Sequence, residues 1–382
     1  MKKKFALVLS GGGFKGAYQL GALRYLKEHW MQLTGLSTPM HFDIIAGVSV
    51  GALNGALIAG KQFSTLEDIW KQVHQNGGQE IYRSAYLDNE GKIKMSFQQL
   101  QQDLIPDFKN SIVLKGLWNS FIRLFHKSRP GLLATLLQEA ERNFEQHFPH
   151  FSSLADNTPL LEKLRKYARL EQIPDTTRFL CGVVSLNDGL YYALSDKDFS
   201  NNEDFAQAIA ASAAMPVIWP PTEKISVGGR QLYHTVDGGI RNTSPLGDVV
   251  QYINADPEPE VQYEVIIINC NSGYISPRDG KWNIADIALR TLTEITLSEI
   301  FNNDIAEFLK INELVLQGRK GNILLQHQGD PLRYFEYKLI QPLTDELGNT
   351  LDSRAETIQS RDQLGYLHAE QAWQQAKKDL WS

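Results

Sequence analysis

The sequence predicts an α/β fold of three layers, in which a mainly parallel sheet carries helices on both faces. Apolar runs of strand length alternate with longer segments of helical periodicity along much of the 382-residue chain, as is typical of a parallel sheet. Several strand runs are continuously apolar, as expected for strands that are covered on both faces. Hydrophobic residues make up 42% of the chain and charged residues 21%, which favours a globular protein over a disordered one.

The first sixty residues predict two strands, at residues 5–9 and 42–46, and two helices, at residues 17–30 and 52–59. Residues 61–175 show a helical but irregular pattern with few strand candidates. This pattern indicates a helical insertion, or cap, over the core.

Strand signals return at residues 178–186 and 189–194, separated by Asn187-Asp188-Gly189, which favours a hairpin turn. The remaining predicted elements are strands at 231–236, 261–270 and 333–340 and helices at 283–316 and 360–380. We expect one domain over residues 1–382, with the insertion at about 61–175 and with C-terminal elements at about 283–382 that pack on the core.

Charge and cysteine content exclude several classes of protein. The formal net charge of -6 argues against nucleic-acid binding, because proteins that follow a phosphate backbone concentrate positive charge. Cys181 and Cys270 provide neither a disulfide framework nor a CxxC metal site, which favours a reducing compartment. The apolar run after the N-terminal lysines is too short for a signal peptide, and no run reaches the length of a membrane span. We therefore expect a cytoplasmic protein without a bound metal, in peripheral contact with a membrane at most.

A glycine-rich motif follows the first predicted strand and begins the first predicted helix. Residues 11–16, GGGFKG, fit the G-x-G-x-x-G pattern of dinucleotide-binding folds. Such folds also need an acidic residue at the end of their second strand to bind the ribose hydroxyls, whereas Asp43 lies at the beginning of that strand. The missing ribose anchor disfavours a dinucleotide site.

A second glycine-flanked turn follows the second predicted strand. Residues 47–51, GVSVG, match the G-x-S-x-G nucleophile elbow, in which a serine lies on a sharp turn between a strand and a helix. Gly47 and Gly51 are needed because a side chain at either position would collide with the neighbouring strand or helix. The sequence therefore predicts Ser49 as a nucleophile.

A nucleophilic serine gives the first glycine motif a different function. Acyl transfer passes through a tetrahedral oxyanion, and the amides of Gly11, Gly12 and Gly13 can bind it because no side chain blocks their approach. Their position at a helix N-terminus also favours negative charge. Lys15 adds a cation to the same loop, although an ordinary solvated lysine is the alternative interpretation.

Serine also needs a base, because its hydroxyl is a weak nucleophile at neutral pH. Residues 237–239, DGG, directly end an apolar strand, where parallel sheets place their site residues, so Asp237 is one candidate. The other Asp-Gly pairs, at Asp188 and Asp279, are better explained as turns. The histidines whose chain positions permit the role of base are His234, His327 and His368.

Together, the glycine loop at 11–16, the serine elbow at 47–51 and the DGG at 237–239 resemble the patatin-like phospholipase family, in which these blocks occur in this order. A fourth block supports the resemblance. Residues 210–216, AASAAMP, followed by WPP at 219–221, are similar to the small-residue and proline segment that precedes the family's aspartate. The matching blocks lie between residue 5 and about residue 245.

The resemblance implies a patatin-like acyl-hydrolase fold and a catalytic dyad without histidine, with Ser49 as nucleophile and Asp237 as base. It also implies that residues 11–13 form the oxyanion hole. An aspartate with its ordinary pKa near 4 is a poor base for serine, so we expect Asp237 to be partly desolvated. The residues expected to support this site are Lys15, Gly16, Gly47, Gly51, Gly238 and Gly239.

We expect a lipid acyl hydrolase, similar to phospholipase A or a lysophospholipase, that cleaves a lipid or phospholipid ester through an acyl-enzyme and needs no cofactor. One alternative is an acyltransferase of the same architecture that passes the acyl group to an acceptor other than water. A more distant alternative is a non-catalytic nucleotide-binding module that uses the G-x-G-x-x-G motif.

A basic amphipathic helix is predicted at about residues 112–129, where apolar residues at helical spacing alternate with lysine and arginine. Two interpretations of this helix remain open. It either contacts a lipid surface peripherally, or it is a cap helix that packs its apolar face on the core.

Overall fold

The computed structural model describes residues 2–92, 153–258, 260–279, 287, 290–327 and 329–379, and it confirms the predicted three-layer α/β architecture. The strands are β1 (Lys2–Leu9), β2 (Ile44–Gly47), β3 (Arg178–Ser185), β4 (Tyr191–Ser195), β5 (Thr222–Val227), β6 (Arg230–Asp237), β7 (Val261–Ile268), β8 (Gln326–His327), β9 (Asp330–Pro331) and β10 (Glu336–Ile340). The helices are α1 (Gly16–Thr34), α2 (Val50–Ala59), α3 (Phe63–Asn76), α4 (Thr158–Tyr167), α5 (Asn202–Ser212), α6 (Leu246–Ala255), α7 (Thr296–Lys320) and α8 (Ala355–Asp379).

The main sheet has the strand order β10-β7-β1-β2-β3-β6-β5, with β4 also paired to β3. The pairs from β10 through β3 are all parallel, so the predicted parallel character of the sheet is confirmed. Beyond β3 the sheet becomes antiparallel, because β4 and β6 both run opposite to β3 and β5 runs opposite to β6.

Alternate side chains of the central strands enter two different cores. Leu7 and Leu9 of β1 are buried with residues from α1, α2, α3, α5 and α8, whereas Ala6 and Val8 are buried with residues from α6 and α7 on the opposite face. Each large apolar side chain that is buried this way stabilises the fold by about 1.5–3 kcal/mol relative to exposure. Because helices cover both faces of the sheet, the sheet is the middle layer of the fold.

Most predicted elements are present with shifted ends, whereas β5, β8, β9, α5 and α6 were not predicted. The turn at residues 187–189 joins β3 to β4, as the sequence predicts. Strand β5 has a mainly exposed or half-exposed pattern, so it lacks the apolar signal of the central strands. Helix α6 does carry a signal, since Leu246, Val249 and Ile253 repeat at helical spacing and are its buried residues.

The C-terminal segment is part of the same sheet and the same helical layer. Strand β7 pairs with β1 along its whole length, and α8 packs on α1. The Nη2 atom of Arg24 lies 2.6 Å from Oδ2 of Asp362 across that helix pair. Of the predicted insertion, the structure describes α3, α4 and their neighbouring turns, while the predicted amphipathic helix at 112–129 lies outside the described residues. Across the described residues, no helix has both the length and the apolar character needed to cross a membrane.

Candidate active site

Ser49 lies on the sharp turn between β2 and α2. Its φ of 56° is in the left-handed region that side chains rarely adopt, as expected for a nucleophile elbow. The amide of Ser49 donates to Oγ of Ser212, 3.1 Å away, which anchors the turn to α5. A Cβ on Gly47 would lie 2.2 Å from the carbonyl oxygen of Gly51, and one on Gly51 would lie 2.2 Å from the carbonyl oxygen of Leu9. Both flanking glycines are therefore required by close backbone approach.

The glycine-rich loop lies directly against the elbow. A Cβ on Gly11 would lie 3.3 Å from Cβ of Ser49, whereas Gly16, at the start of α1, lies against Val50 and Trp70. Gly13 has a φ of 54° and begins a short 3₁₀ turn that leads into α1. The loop and the elbow are thus packed as one unit, with two helix N-termini at the same place.

The three loop amides are not equivalent. The amide of Gly11 donates to the carbonyl oxygen of Thr243, 3.0 Å away, so it is already engaged. In the part of the chain that the structure describes, the amides of Gly12 and Gly13 have no hydrogen-bond acceptor. Of the three glycines predicted as oxyanion donors, only Gly12 and Gly13 therefore have amides without a protein acceptor among the described residues.

Asp237 reaches Ser49 by a route that differs from the predicted one. We expected it at the end of a parallel strand, but β6 is antiparallel to β3. Cys181 of β3 pairs with Gly47, the last residue of β2, and Val183 of β3 pairs with Asp237, the last residue of β6. Strand β3 therefore continues past the end of β2, and β6 runs towards that end from the opposite direction. Asp237 ends beside the elbow because the last residues of β2 and β6 meet near the same stretch of β3.

Asp237 is buried and lies beside Ser49. The Ser49 hydroxyl is near enough to the Asp237 carboxyl to lower its pKa, and Oδ1 of Asp237 accepts the amide hydrogen of Gly239 at 2.7 Å. Burial raises the pKa of this carboxyl from its ordinary value to about 7, and the neighbouring Ser49 hydroxyl and Gly239 amide oppose the rise. Both protonation states are therefore accessible near neutral pH, which suits a general base.

Lys15 is buried at 6% exposure, so the solvated-lysine interpretation is wrong. Burial, with a smaller contribution from the nearby charge of Arg361, lowers the pKa of its ammonium group. The carbonyl oxygen of Lys15 accepts from Sγ of Cys270, which fixes the backbone after the loop. Lys15 is thus a buried side chain next to the glycine loop, with a lowered ammonium pKa.

The other candidate bases and anchors have other partners. His368 is hydrogen-bonded to the hydroxyl of Tyr18, while His234 and His327 are exposed. None of these histidines bonds to Ser49 or Asp237 within the described segments. Asp43 accepts the amide hydrogen of Phe5 with Oδ2 at 2.8 Å, a structural contact at the wrong end of β2 for a ribose.

An apolar pocket opens beside Ser49 and Gly13. Its walls come mainly from α2, α3 and α4, and Phe14 and Trp219 from elsewhere in the chain also line it. The lining side chains most relevant to its shape are Leu53, Leu57, Leu66, Ile69, Trp70, Val73, Leu160, Leu164, Tyr167 and Trp219. The sequence did not predict these walls, although α3 and α4 show the apolar periodicity that could have marked them.

The pocket extends along α2 away from the elbow. Leu57 is eight residues after Ser49, which corresponds to about 12 Å along a helix. At that level the amide of Gln62 donates to the carbonyl oxygen of Leu57, and its side chain donates to the carbonyl oxygen of Tyr167. The far end of the pocket is therefore near Leu57 and Tyr167, where α2, α3 and α4 are joined.

The described residues contain no cluster of three or more His, Cys, Asp or Glu side chains that could hold a metal ion. The site brings together a serine hydroxyl, a buried carboxyl group beside it, two loop amides without a protein acceptor and an apolar pocket. These are the components of acyl transfer from an ester with an apolar acyl group.

A family model described as patatin-like phospholipase matches residues 7–250. No curated protein sequence shows a significant match to the chain. Among solved structures, the chain is similar to VipD from Legionella pneumophila, with 14% identity and a TM-score of 0.37, over 98% of this chain and 67% of that chain. It is also similar to a chain of the heterodimeric ExoU–SpcU complex of the type III secretion system of Pseudomonas aeruginosa, with 20% identity and a TM-score of 0.25, over 81% of this chain and 52% of that chain.

Proposed function

The chain belongs to the patatin-like phospholipase family, and on that premise we propose that it is a lipid acyl hydrolase that uses Ser49 and Asp237 as its catalytic dyad. The observation that carries the proposal is the buried carboxyl group of Asp237 beside Ser49, a serine that also lines an apolar pocket. The pocket suits an acyl chain, since it is lined almost entirely by apolar side chains.

The first half of the reaction forms an acyl-enzyme. Asp237 accepts the hydroxyl proton of Ser49 while Oγ attacks the ester carbonyl carbon. The carbonyl oxygen becomes an oxyanion, which the amides of Gly12 and Gly13 and the N-terminal dipole of the helix stabilise. The bond to the alcohol then breaks as Asp237 returns the proton to the leaving oxygen.

The second half releases the fatty acid. Water takes the place of the alcohol and gives a proton to Asp237 as its oxygen attacks the acyl carbon. The second tetrahedral oxyanion is bound by the same two amides. It collapses when Oγ of Ser49 leaves and regains the proton from Asp237, which restores the free enzyme. We assign to this site a phospholipase A or lysophospholipase type of ester substrate.

The test combines active-site labelling with hydrolysis. A fluorophosphonate probe should label the wild type and not Ser49→Ala, and Asp237→Asn should lower phospholipid and p-nitrophenyl ester hydrolysis by at least about 100-fold. Asp188→Asn is the matched control, because Asp188 binds its own turn and Tyr192. An active Asp237→Asn variant would refute the dyad, and an unlabelled wild type would refute the proposed function.

Product analysis separates hydrolysis from transfer. The acyl-enzyme proposed here should give free fatty acid as the main product even when an alcohol such as glycerol is added. A product that is mainly the glycerol ester would instead favour an acyltransferase. Peripheral lipid contact through residues 112–129 stays a prediction, which co-sedimentation with anionic vesicles tests.

A further inference from the structure

A short C-terminal segment lies against the glycine loop although it is outside the residues that the family model matches. We call residues 347–352, between β10 and α8, the strap. Thr350 and Leu351 of the strap are buried, at 1% and 0% exposure. The strap has no motif in the sequence, so its position was not predicted.

Arg361 of α8 holds the strap by its backbone. Its guanidinium donates to the carbonyl oxygen of Leu347 from Nε at 2.9 Å and from Nη2 at 2.7 Å. It also donates to the carbonyl oxygens of Asn349, at 2.6 Å, and Asp352, at 2.7 Å. Arg361 is only 1% exposed, and these carbonyl oxygens take the place of the water molecules that its guanidinium loses on burial. A planar guanidinium can hold three carbonyls in a fixed arrangement, which a lysine cannot do.

The strap in turn contacts the residues that carry the free amides. The carbonyl oxygen of Thr350 accepts the amide hydrogen of Phe14 at 2.9 Å. A Cβ on Gly13 would lie 2.7 Å from Cγ2 of Thr350 and 2.8 Å from its carbonyl oxygen. Gly12 and Gly13 therefore lie between two backbone hydrogen bonds. On one side the amide of Gly11 donates to the carbonyl oxygen of Thr243, and on the other the amide of Phe14 donates to the carbonyl oxygen of Thr350.

The strap region also binds the start of the helical insertion. The side-chain amide of Asn349 donates to the carbonyl oxygen of Glu90 at 3.0 Å, and Ser353 accepts the amide hydrogen of Gly78 at 3.0 Å. The strap therefore lies between the insertion and the glycine loop, and Arg361 is the side chain that fixes its backbone.

We propose that Arg361 is a positioning residue for the oxyanion site: by fixing the strap, it sets the orientation of the Gly12 and Gly13 amides. This inference rests on the proposed function. Since an oxyanion forms only in the transition state, loss of Arg361 should lower kcat and leave KM nearly unchanged. One oxyanion donor is worth about 100- to 1,000-fold in kcat, so partial misalignment should cost about 10-fold or more.

The experiment compares Arg361→Gln with Asp362→Asn. The control alters the next residue of α8 and breaks the ion pair with Arg24 without touching the strap. With p-nitrophenyl butyrate, at a temperature where both variants are folded, Arg361→Gln should lose about 10-fold or more in kcat with KM within about twofold. Asp362→Asn should keep its kcat within about twofold of the wild type.

Hydrogen exchange gives a readout that does not depend on turnover. The amide of Phe14 should exchange faster in Arg361→Gln than in the wild type and in Asp362→Asn. If Arg361→Gln does not fold, Arg361→Lys keeps the charge, loses the planar donors and should show the same two effects. The proposal is overturned if the folded Arg361 variants keep the wild-type kcat or the wild-type exchange of Phe14, or if the control loses as much kcat. A wild type with no esterase activity refutes the proposed function instead, and the exchange comparison then shows separately whether Arg361 fixes the loop.

Discussion

Gly238 lies directly on the backbone of Gly182, so that a Cβ on Gly238 would be 2.4 Å from the Gly182 carbonyl oxygen. The contact joins the turn after β6 to the middle of β3, in the antiparallel pairing that brings Asp237 to the elbow. Asp237 is the residue immediately before this contact. The spacing between the two strands therefore fixes where the carboxyl group lies relative to Ser49.

Gly238→Ala should impair both stability and catalysis. The added methyl group must separate the turn from β3, and overpacking of this kind costs about 1–3 kcal/mol. The shift would also move the carboxyl of Asp237 away from Ser49, so kcat should fall more than the loss of folded protein explains. Gly321→Ala is the control, because its added Cβ would have no neighbour closer than 3.6 Å. Urea unfolding and ester hydrolysis of both variants check the prediction, and equal effects at the two positions would contradict it.

The raised pKa of Asp237 predicts the pH dependence of activity. The base must be ionised to accept the proton of Ser49, and burial places its pKa at about 7. We expect kcat/KM to rise about tenfold per pH unit below this value and to level off above it. A profile that is already flat at pH 5 would show that Asp237 is not the titrating base.

The same pKa predicts that Asp237 reduces stability at high pH. Below about pH 4 the carboxyl is protonated in both the folded and unfolded states, and above about 7 it is ionised in both. Between these values the folded protein keeps a proton that the unfolded chain has lost, so the contribution of this group to stability falls as the pH rises. Asp237→Asn removes the titration and should be more stable than the wild type at pH 8 by a larger margin than at pH 4. Urea unfolding at the two pH values measures both margins, and a margin that does not grow with pH would contradict the shift.

The sequence predicted the parts of the site that depend on local residue types. Gly47, Ser49 and Gly51 were identifiable because a sharp strand-to-helix turn restricts which residues can occupy it. Asp237 was a candidate because of its DGG motif. The expectation that it ends a parallel strand was wrong, because strand direction beyond β3 depends on long-range pairing. The engagement of Gly11 by Thr243 and the strap around Arg361 also join segments far apart in the chain. No local pattern encodes such contacts.

Strain at the elbow gives a prediction about two inactive variants. Ser49 has a positive φ, which glycine adopts at no steric cost and alanine does not. Ser49→Gly should therefore be more stable than Ser49→Ala by about 1 kcal/mol or more, although neither should hydrolyse esters. Lys61, with a φ of 55°, is the control position, where Lys61→Gly should show a similar advantage over Lys61→Ala and keep activity. Equal stability of the two Ser49 variants would argue against a strained elbow.

The position of Leu57 predicts control of acyl-chain length. If the acyl chain follows α2 from Ser49, its end reaches the level of Leu57 after about 12 Å, where Leu66 and Tyr167 also line the pocket. Leu57→Ala should deepen the pocket and move the kcat/KM optimum of a p-nitrophenyl ester series to longer acyl chains, whereas Leu57→Phe should move it to shorter ones. Each added methylene that finds apolar contact is worth about 0.8 kcal/mol, so a shift of two carbons should change relative kcat/KM by about 10-fold.

Leu23→Ala is the matched control, since Leu23 is fully buried on α1 and does not line the pocket. It should lower stability and leave the optimum unchanged, and an optimum that both leucine-to-alanine variants leave in place would show that the acyl chain does not extend along α2.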